Sequence, residues 1–423
     1  MTDEWASTTG SLKLRNAAAV LSYAWQVPVF TASDAISATG LTRSTVISLC
    51  DELVARGWLT ELPDARSAGD AYRKGRPARR YALRTGAGVV VGVDAGQNTI
   101  TASVADLSGV EIGRASARIE PEASSGGQRL AVTDATVADA LERAGAAPPD
   151  ILCLVVGVPA PTDDEGNSPG DEDVFWLRMN PGFAGHFRSR GLTTIVENDA
   201  NLAAVAEGTS GAGAGVASFI TLVSGERFGA GYIVDDHLVR GARGGAGELH
   251  LLTYVEGVGS PEGIGALLRA WAAQGREDHT IGPESSLSAV PLLELDARHV
   301  LAAADAGDVA ALDILDRLAE RLARICAVLG GLLDVERIVF SGAVAESLGL
   351  LLERTRDRLA EISHPKPPEL AASNLGAGVV TLGAVTRGLA WVRQNAMALA
   401  GEPAPRPVTD TNEDAELDGQ RVG

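Results

Sequence analysis

The sequence predicts a small N-terminal unit of helices closed by a β-wing, followed by a much larger α/β unit. Three observations carry that expectation. A chain of 423 residues is too long for one hydrophobic core. Charge is divided unevenly: residues 1–84 hold eleven Lys/Arg against eight Asp/Glu, so of the 36 basic and 55 acidic residues the remainder carries 25 and 47. The hydrophobic period also changes, from three- and four-residue spacing before Gly57 to alternating and continuous apolar runs after Ala87.

Composition narrows the class. Apolar residues at 45% and charged residues at 22% suit a globular protein rather than a disordered or fibrous one. A net charge of −19 excludes indiscriminate nucleic-acid binding and leaves the basic front segment as the place for it. Cys50, Cys153 and Cys326 share no short spacing, which excludes a CxxC-type site, makes a disulfide framework unexpected, and points to a reducing cytoplasm. No apolar run approaches the roughly 18 residues a membrane span needs. MTDEWASTTG lacks a basic-then-apolar opening, so no signal peptide is expected.

In the front unit, Ala17, Val20, Leu21 and Ala24 follow helical spacing from Asn16. Thr31 with Asp34 makes a capping pair for a second helix through Ala35, Ile36 and Ala38. Gly40 ends it, because glycine accepts the left-handed backbone of a tight turn. Thr42 caps a third helix, Arg43 to Arg56, whose stripe is Val46, Leu49 and Leu53 and whose stop is Gly57. Helix, glycine turn, helix, then a strand from Trp58 and a return at Tyr81-Ala82-Leu83, is a winged helix-turn-helix pattern. The second helix of such a pair meets the major groove with its first residues, so Arg43, Ser44, Thr45 and Ser48 are the candidate DNA contacts. Arg66 to Arg84 holds seven basic residues against the single Asp70. Within it, Lys74, Arg76, Arg79 and Arg80 are placed to reach phosphates or, through the Gly75-Arg76-Pro77 bend, a narrow minor groove. The helices alone would equally suit a cap used for packing; the basic wing tips the balance to DNA.

The large unit opens with VVVGVDAGQNTITASVADLSG, two strands around a turn at Asp94-Ala95-Gly96. A carboxylate, a close-approach glycine and a hydroxyl, Asp94, Gly96 and Thr99, suit a hairpin that holds Mg²⁺ and phosphate, although Asp and Gly also make ordinary turns. ILCLVVGVPAPTD is a buried strand running into a proline bend. TTIVENDANLAAVAE is a strand ending at Glu197-Asn198-Asp199, with a helix opened by Asn201. Neighbouring Asn198 and Asp199 can hydrogen-bond paired hydroxyls, and Asp199 can take a hydroxyl proton. FITLVSGERFGAGYIVDDHLVRGARGGAGELH supplies two more strands and two glycine-rich loops, RIVFSGAVAE a strand entering a helix, and LGAGVVTLGAVTRGLAWV a closing helix.

In this order, VGVDAGQNT, VGVPAPTD, ENDANLAAVAE, GARGGAGEL, VFSGAVA and LGAGVVTLGA resemble the ROK family of repressors, open reading frames and sugar kinases, over about Leu14 to Val392. The resemblance implies an actin-like ATPase fold of two α/β lobes with the ligand in the cleft between them. It also implies that Asn198 and Asp199 contact a sugar, with Asp199 in the position of the kinases' catalytic base. Glu248 would hold sugar hydroxyls, and Asp94, Gly96 and Thr99 would form the first phosphate loop.

The departures from the family pattern are specific. Zinc-bearing members carry Glu-x-Gly-His and a cysteine cluster, whereas GELHLLTYVEGVGSPEGIGALL has no thiolate ligand, so no zinc site is expected. His250 stands one residue early for the usual histidine, and Glu262 matches the acidic residue after the cluster; each is a candidate sugar contact or a piece of cleft wall. Where kinases have a Gly-Thr-Gly-like turn stands Ser224-Gly225-Glu226-Arg227-Phe228-Gly229, in which Glu226 would repel phosphate unless Arg227 neutralises it. Ser341-Gly342-Ala343 lacks one of two expected glycines. These changes tell against Mg-ATP and leave no cofactor expected.

Leu312 to Leu333 reads as a core or dimer helix with Leu315, Leu318, Leu322, Ile325, Cys326 and Leu329 on one face. The expected domains are 1–86, a winged helix-turn-helix; 87–400, a sugar-kinase-like domain; and 401–423, a disordered acidic tail. The expected function is a cytoplasmic DNA-binding regulator, a repressor of carbohydrate metabolism. It would act as a homodimer or dimer of dimers on a double-stranded operator, under control of a sugar-type effector. The alternative is an ATP-dependent sugar kinase with an appended DNA-binding domain.

Overall fold

The computed structural model describes residues 3–63, 78–120, 125–170, 174–363 and 366–399. Lys74, Arg76 and the segment 401–423 lie outside them. The chain forms two compact units, one built on the segment up to Ala87 together with the described chain from Arg393 on, and the other on Gly88–Val392.

The first unit contains α1 (Asp3–Ala24), β1 (Phe30–Thr31), α2 (Ala32–Thr39), α3 (Arg43–Ala55), β2 (Leu59–Leu62) and β3 (Arg80–Leu83). The first helix begins well before Asn16, because nothing in Asp3–Asn16 breaks it; Ala17, Val20, Leu21 and Ala24 are nevertheless the buried residues. Thr31 and Asp34 form a reciprocal capping box on α2, and Gly40 ends that helix at φ 70°. Thr42 accepts from the Thr45 amide to start α3, whose Val46, Leu49, Cys50 and Leu53 are buried. The strands pair antiparallel in the order β1–β3–β2, with Tyr81 opposite Phe30 and Glu61.

The second unit is laid out twice on one plan. Its first sheet has β4 (Val89–Ala95), β5 (Thr99–Ala105) and β6 (Glu111–Arg118) as an antiparallel meander. Helix α4 (Gly126–Ala144) then leads to β7 (Ile151–Val158), and α5 (Val174–Met179) and α6 (Phe183–Arg188) lead to β8 (Thr194–Asn198). Strands β7 and β8 add parallel to β4, giving the order β6–β5–β4–β7–β8. Helix α7 (Asp199–Ser210) crosses to the second sheet, where β9 (Phe219–Ser224), β10 (Phe228–Val234) and β11 (His237–Val239) repeat the meander. The excursion α8 (Ile264–Glu277), α9 (Ala297–Asp305) and α10 (Val309–Leu333) precedes β12 (Arg337–Ser341), and α11 (Gly349–Ile362) precedes β13 (Glu369–Ala372). Both strands are parallel, in the order β11–β10–β9–β12–β13. Helix α12 (Val379–Leu399) follows.

Each lobe has its own core. Val91, Val93, Ile100, Leu154, Val156, Phe183 and Phe187 fill the first, and Ile220, Leu222, Leu268, Leu318, Leu322, Ile338 and Phe340 the second. The predicted face of α10, including Cys326, lies inside the second core, which makes this helix a core element. Small residues let α7 and α12 approach the sheets and each other. A Cβ at Gly383 would stand 1.9 Å from the Leu202 carbonyl oxygen, and one at Gly231 would stand 2.2 Å from that of Ala200. These contacts bring the first turn of α7 to the junction of the two lobes.

Candidate ligand cleft

Asn198 ends β8 and is the N-cap of α7, so the helix starts at Asp199 and not at Asn201, as the sequence had suggested. The physical reason is local: the Asn198 Oδ1 accepts from the Ala200 and Asn201 amides at 3.0 and 3.2 Å, which commits the preceding backbone to an extended conformation. The Asn198 Nδ2 donates to the Ala160 carbonyl at 3.2 Å. Asn198 is thus largely engaged in holding the site, with part of its amide left for a ligand.

Three of the predicted residues converge. Asp94 is the penultimate residue of β4, Asp199 opens α7, and Glu248 follows the glycine-rich loop after β11. Glu248 bridges by backbone to Gly229, and a Cβ on Gly229 would lie 3.9 Å from Asp199 Oδ1. Burial, followed by the neighbouring Asp94 charge and more weakly that of Glu248, pushes Asp199 up to about 8, against its own Oδ1 contact to the Ala200 amide at 2.8 Å. Burial also raises Asp94, to about 6, with Arg129 and Arg114 opposing. A carboxyl held protonated near neutrality can donate a hydrogen bond to a sugar oxygen; once ionised it can accept a hydroxyl proton.

Other predicted residues are exposed rather than buried with this group. Thr99 is exposed at the start of β5. His250 is exposed on the turn Leu249–Tyr254, where its carbonyl accepts from Thr253 Oγ1 at 2.9 Å. Glu262 takes the Ser260 hydroxyl at 3.0 Å and bridges by backbone to Arg227.

Several arginines carry roles the sequence did not disclose. Arg129, fully buried on α4, donates from Nε to the Met179 carbonyl at 3.1 Å and from Nη2 to the carbonyls of Ala95 and Gly96. It therefore fixes the first loop from behind and meets the charge of Asp94. A signal was present, because Arg129 falls on the same helical face as Thr133, Val137 and Leu141, where a charge needs a reason to be buried. Glu226 is neutralised by Arg269 of α8, with Nη1–Oε1 at 3.0 Å and Nη2–Oε2 at 2.7 Å, and not by Arg227 as the adjacency in sequence had suggested. Their side chains come together because the β9–β10 turn packs on the start of α8, where the Gly263 amide donates to the Glu226 carbonyl. Buried Arg321 of α10 grips the stretch 258–262, donating to the carbonyls of Val258 at 2.8 Å, Glu262 at 3.0 Å, and Ser260. Glu197 accepts from Arg240 Nε at 2.7 Å, from the Asn198 amide at 3.2 Å and from Asn201 Nδ2 at 2.9 Å. Beside that pair, a cavity of about 240 Å³ is lined by Thr162–Glu165 and Arg240–Gly244; Asp199 is not in its wall.

In the first unit, Arg43, Ser44 and Ser48 are exposed on α3, and Thr45 is half-buried with its hydroxyl 2.8 Å from that of Thr42. Arg79 is held by Asp51 at 2.7 Å and by both oxygens of Glu61, while Arg80 is half-buried opposite Thr31.

Two lobes on one plan, meeting at a carboxylate group, define an actin-like protein of the sugar-kinase type. The chain belongs to the ROK family, whose family model matches residues 90–387. It is 31% identical to a glucokinase of Halalkalibacterium halodurans over 45% of this chain, and spans 62% of that relative's length. It is 25% identical to a xylose repressor of Caldicellulosiruptor bescii over 75% of this chain and 80% of the repressor. Among solved structures, a ROK glucokinase from Streptomyces griseus in complex with glucose and AMPPNP matches 71% of this chain and 99% of its own at TM-score 0.59 and 25% identity. The fold is also that of a ROK transcriptional regulator described as a homologue of the E. coli MLC protein, with TM-score 0.70 and 20% identity over 92% of this chain and all of that one. No helix among the described residues is long and apolar enough to cross a membrane.

Proposed function

We propose that the protein is a DNA-binding transcriptional regulator, a repressor in carbohydrate metabolism, whose two-lobed unit binds a sugar-type effector. The observation that carries this reading is the first turn of α3, capped by Thr42 and presenting Arg43, Ser44 and Ser48 to solvent at the front of a ROK chain. With the three-stranded sheet behind it, this unit is read as a winged helix-turn-helix, α3 entering the major groove and the β2–β3 connection forming the wing. Likeness to the xylose repressor over most of both chains supports the same reading. The domain limits proposed are 1–86, 87–400 and 401–423, and Lys74 and Arg76 are proposed as wing contacts to DNA.

In the cleft, Asp199, Glu248 and the remaining Asn198 amide hydrogen are proposed to hold sugar hydroxyls, with His250 and Glu262 as further contacts. A homodimer in the cytoplasm would present two α3 helices to paired half-sites, and effector binding between the lobes would alter their spacing. Selection of bound duplexes from a random DNA pool by the full chain, with and without sugars, tests this reading.

The kinase reading is favoured by one observation, the pairing of Glu226 with Arg269, which removes the charge that would oppose phosphate at the β9–β10 turn. The nucleotide site is nevertheless poorly matched. Ser341 donates its hydroxyl to Glu207, and Ala343 follows Gly342 where the turn wants glycine. No step is therefore assigned to Mg-ATP, and zinc is not proposed. ATP-dependent phosphate transfer to hexoses is the assay that would favour the kinase.

A further inference from the structure

We propose that the effector is an anionic sugar, one bearing a phosphoryl or carboxylate group that is held between Arg178 and Arg227. This inference rests on the sugar-sensing reading above and narrows its ligand class.

The two arginines come from opposite lobes. Arg178 lies on α5 and Arg227 on the β9–β10 turn, and their guanidinium carbons stand 5.8 and 5.3 Å from the centroid of the same ring, Phe175. Two cations from the two lobes thus share one aromatic ring, with Arg227 on the β9–β10 turn. The Nε of Arg178 is buried with no hydrogen-bond partner among the described residues, and so is the Nη1 of fully buried Arg129. The charge of Arg178 is felt by Arg129, which burial first and then this like charge pull down, to about 10, with Asp94 opposing. An unpaired buried guanidinium donor is costly, so two of them near one another need a compensating acceptor.

Among the described residues, Glu226 is paired with Arg269 and Glu197 with Arg240, while Glu262 accepts only the Ser260 hydroxyl and keeps its charge. Asp94 and Asp199 are pushed toward their neutral forms by burial, so they repel an anion less than two ionised carboxylates would. A planar guanidinium matches the oxygens of a phosphate or carboxylate in a bidentate fork, which a neutral sugar cannot offer. The same cleft therefore holds hydroxyl partners at Asp199 and Glu248 and anion partners at Arg178 and Arg227, a combination that suits one molecule carrying both groups.

The test is a thermal-shift and calorimetric panel on the full chain and on Arg227→Gln, an exposed position whose change leaves the cores intact. The probes are glucose, xylose, glucose 6-phosphate, gluconate, inorganic phosphate and Mg-ATP. The inference expects a phosphorylated or acidic sugar to bind about tenfold or more tightly than its neutral parent, with that preference lost in Arg227→Gln and weakened by salt. Equal binding of the neutral parent, or an unchanged preference in Arg227→Gln, overturns the inference and leaves the sugar sensor standing. A response to Mg-ATP or to inorganic phosphate alone that Arg227→Gln removes, without one to sugar anions, assigns the arginines to a phosphate source other than the sugar and also overturns it. Silence from every sugar in the panel overturns both readings.

Discussion

The Nε of Arg240 donates to Oε2 of Glu197 at 2.7 Å, joining the glycine-rich loop of the second lobe to the strand end that carries Asn198 and Asp199. Glu197 is almost fully buried and Arg240 about one-third exposed. Arg240→Met leaves a buried carboxylate uncompensated and should cost about 2–3 kcal/mol, the low end for a buried pair because the arginine is partly in water. Glu197→Gln, which keeps the shape and removes the charge, should cost less. Urea denaturation of the three proteins checks the order, and equal losses would mean that the pair serves only as packing.

Asp199 gives stability a defined pH dependence. An unfolded aspartate titrates near 4, whereas burial and then the Asp94 charge push Asp199 up to about 8. Between those values the folded chain keeps a proton that the unfolded chain has shed, so this contribution is complete below about pH 4 and is lost as pH rises through 8. Asp94, raised to about 6, steepens the lower part of the same window. Melting temperature measured from pH 5 to 9 should fall less steeply for Asp199→Asn than for the parent. Parallel curves would refute the raised pKa.

The stretch 258–262 depends on Arg321, which reaches three of its carbonyls from α10. Arg321→Met should leave those acceptors unsatisfied at about 1–3 kcal/mol each before relaxation. Lysine should rescue poorly, because one ammonium cannot copy the spread fork. Hydrogen exchange should show faster opening of 255–265 with the first unit unchanged, and protection equal to the parent would deny the clamp.

On the DNA side, Arg43 and Arg79 should differ. Arg43 is exposed at the first turn of α3, while Arg79 is held by Asp51 and Glu61, with its guanidinium carbon 5.4 Å from the Tyr81 ring centroid. Arg43→Ala is expected to weaken duplex binding about tenfold with no change in melting temperature. Arg79→Ala should weaken it less and lower stability slightly, by about 0–1 kcal/mol. Fluorescence anisotropy on one duplex, with parallel melts, separates the two.

Local structure set by immediate neighbours was legible in the sequence. Asn198 and Asp199 follow from a strand meeting a helix, and the Thr31–Asp34 box and Gly40 from the helix ends of the first unit. What was not legible depends on distant chain. Arg129 meets residues 33, 34 and 50 positions away, and Arg321 residues about 60 positions away. Arg227 sat beside Glu226 in sequence, yet Arg269 took the carboxylate, since alternate strand-turn side chains diverge while α8 packs close. The two-lobed plan of the large unit came from the family resemblance and not from an internal repeat, because corresponding strands such as VVVGVDA and FITLVS share pattern but not residues.

The most direct test of the regulator reading is equilibrium binding of the full chain to a duplex selected from a random pool, measured with and without the sugars and sugar anions named above. The account predicts sequence-specific binding with a steep salt dependence, altered by a sugar-type ligand in the parent and insensitive to it in Asp199→Asn. Binding that shows no preference among sequences, or that no such ligand alters, would contradict it.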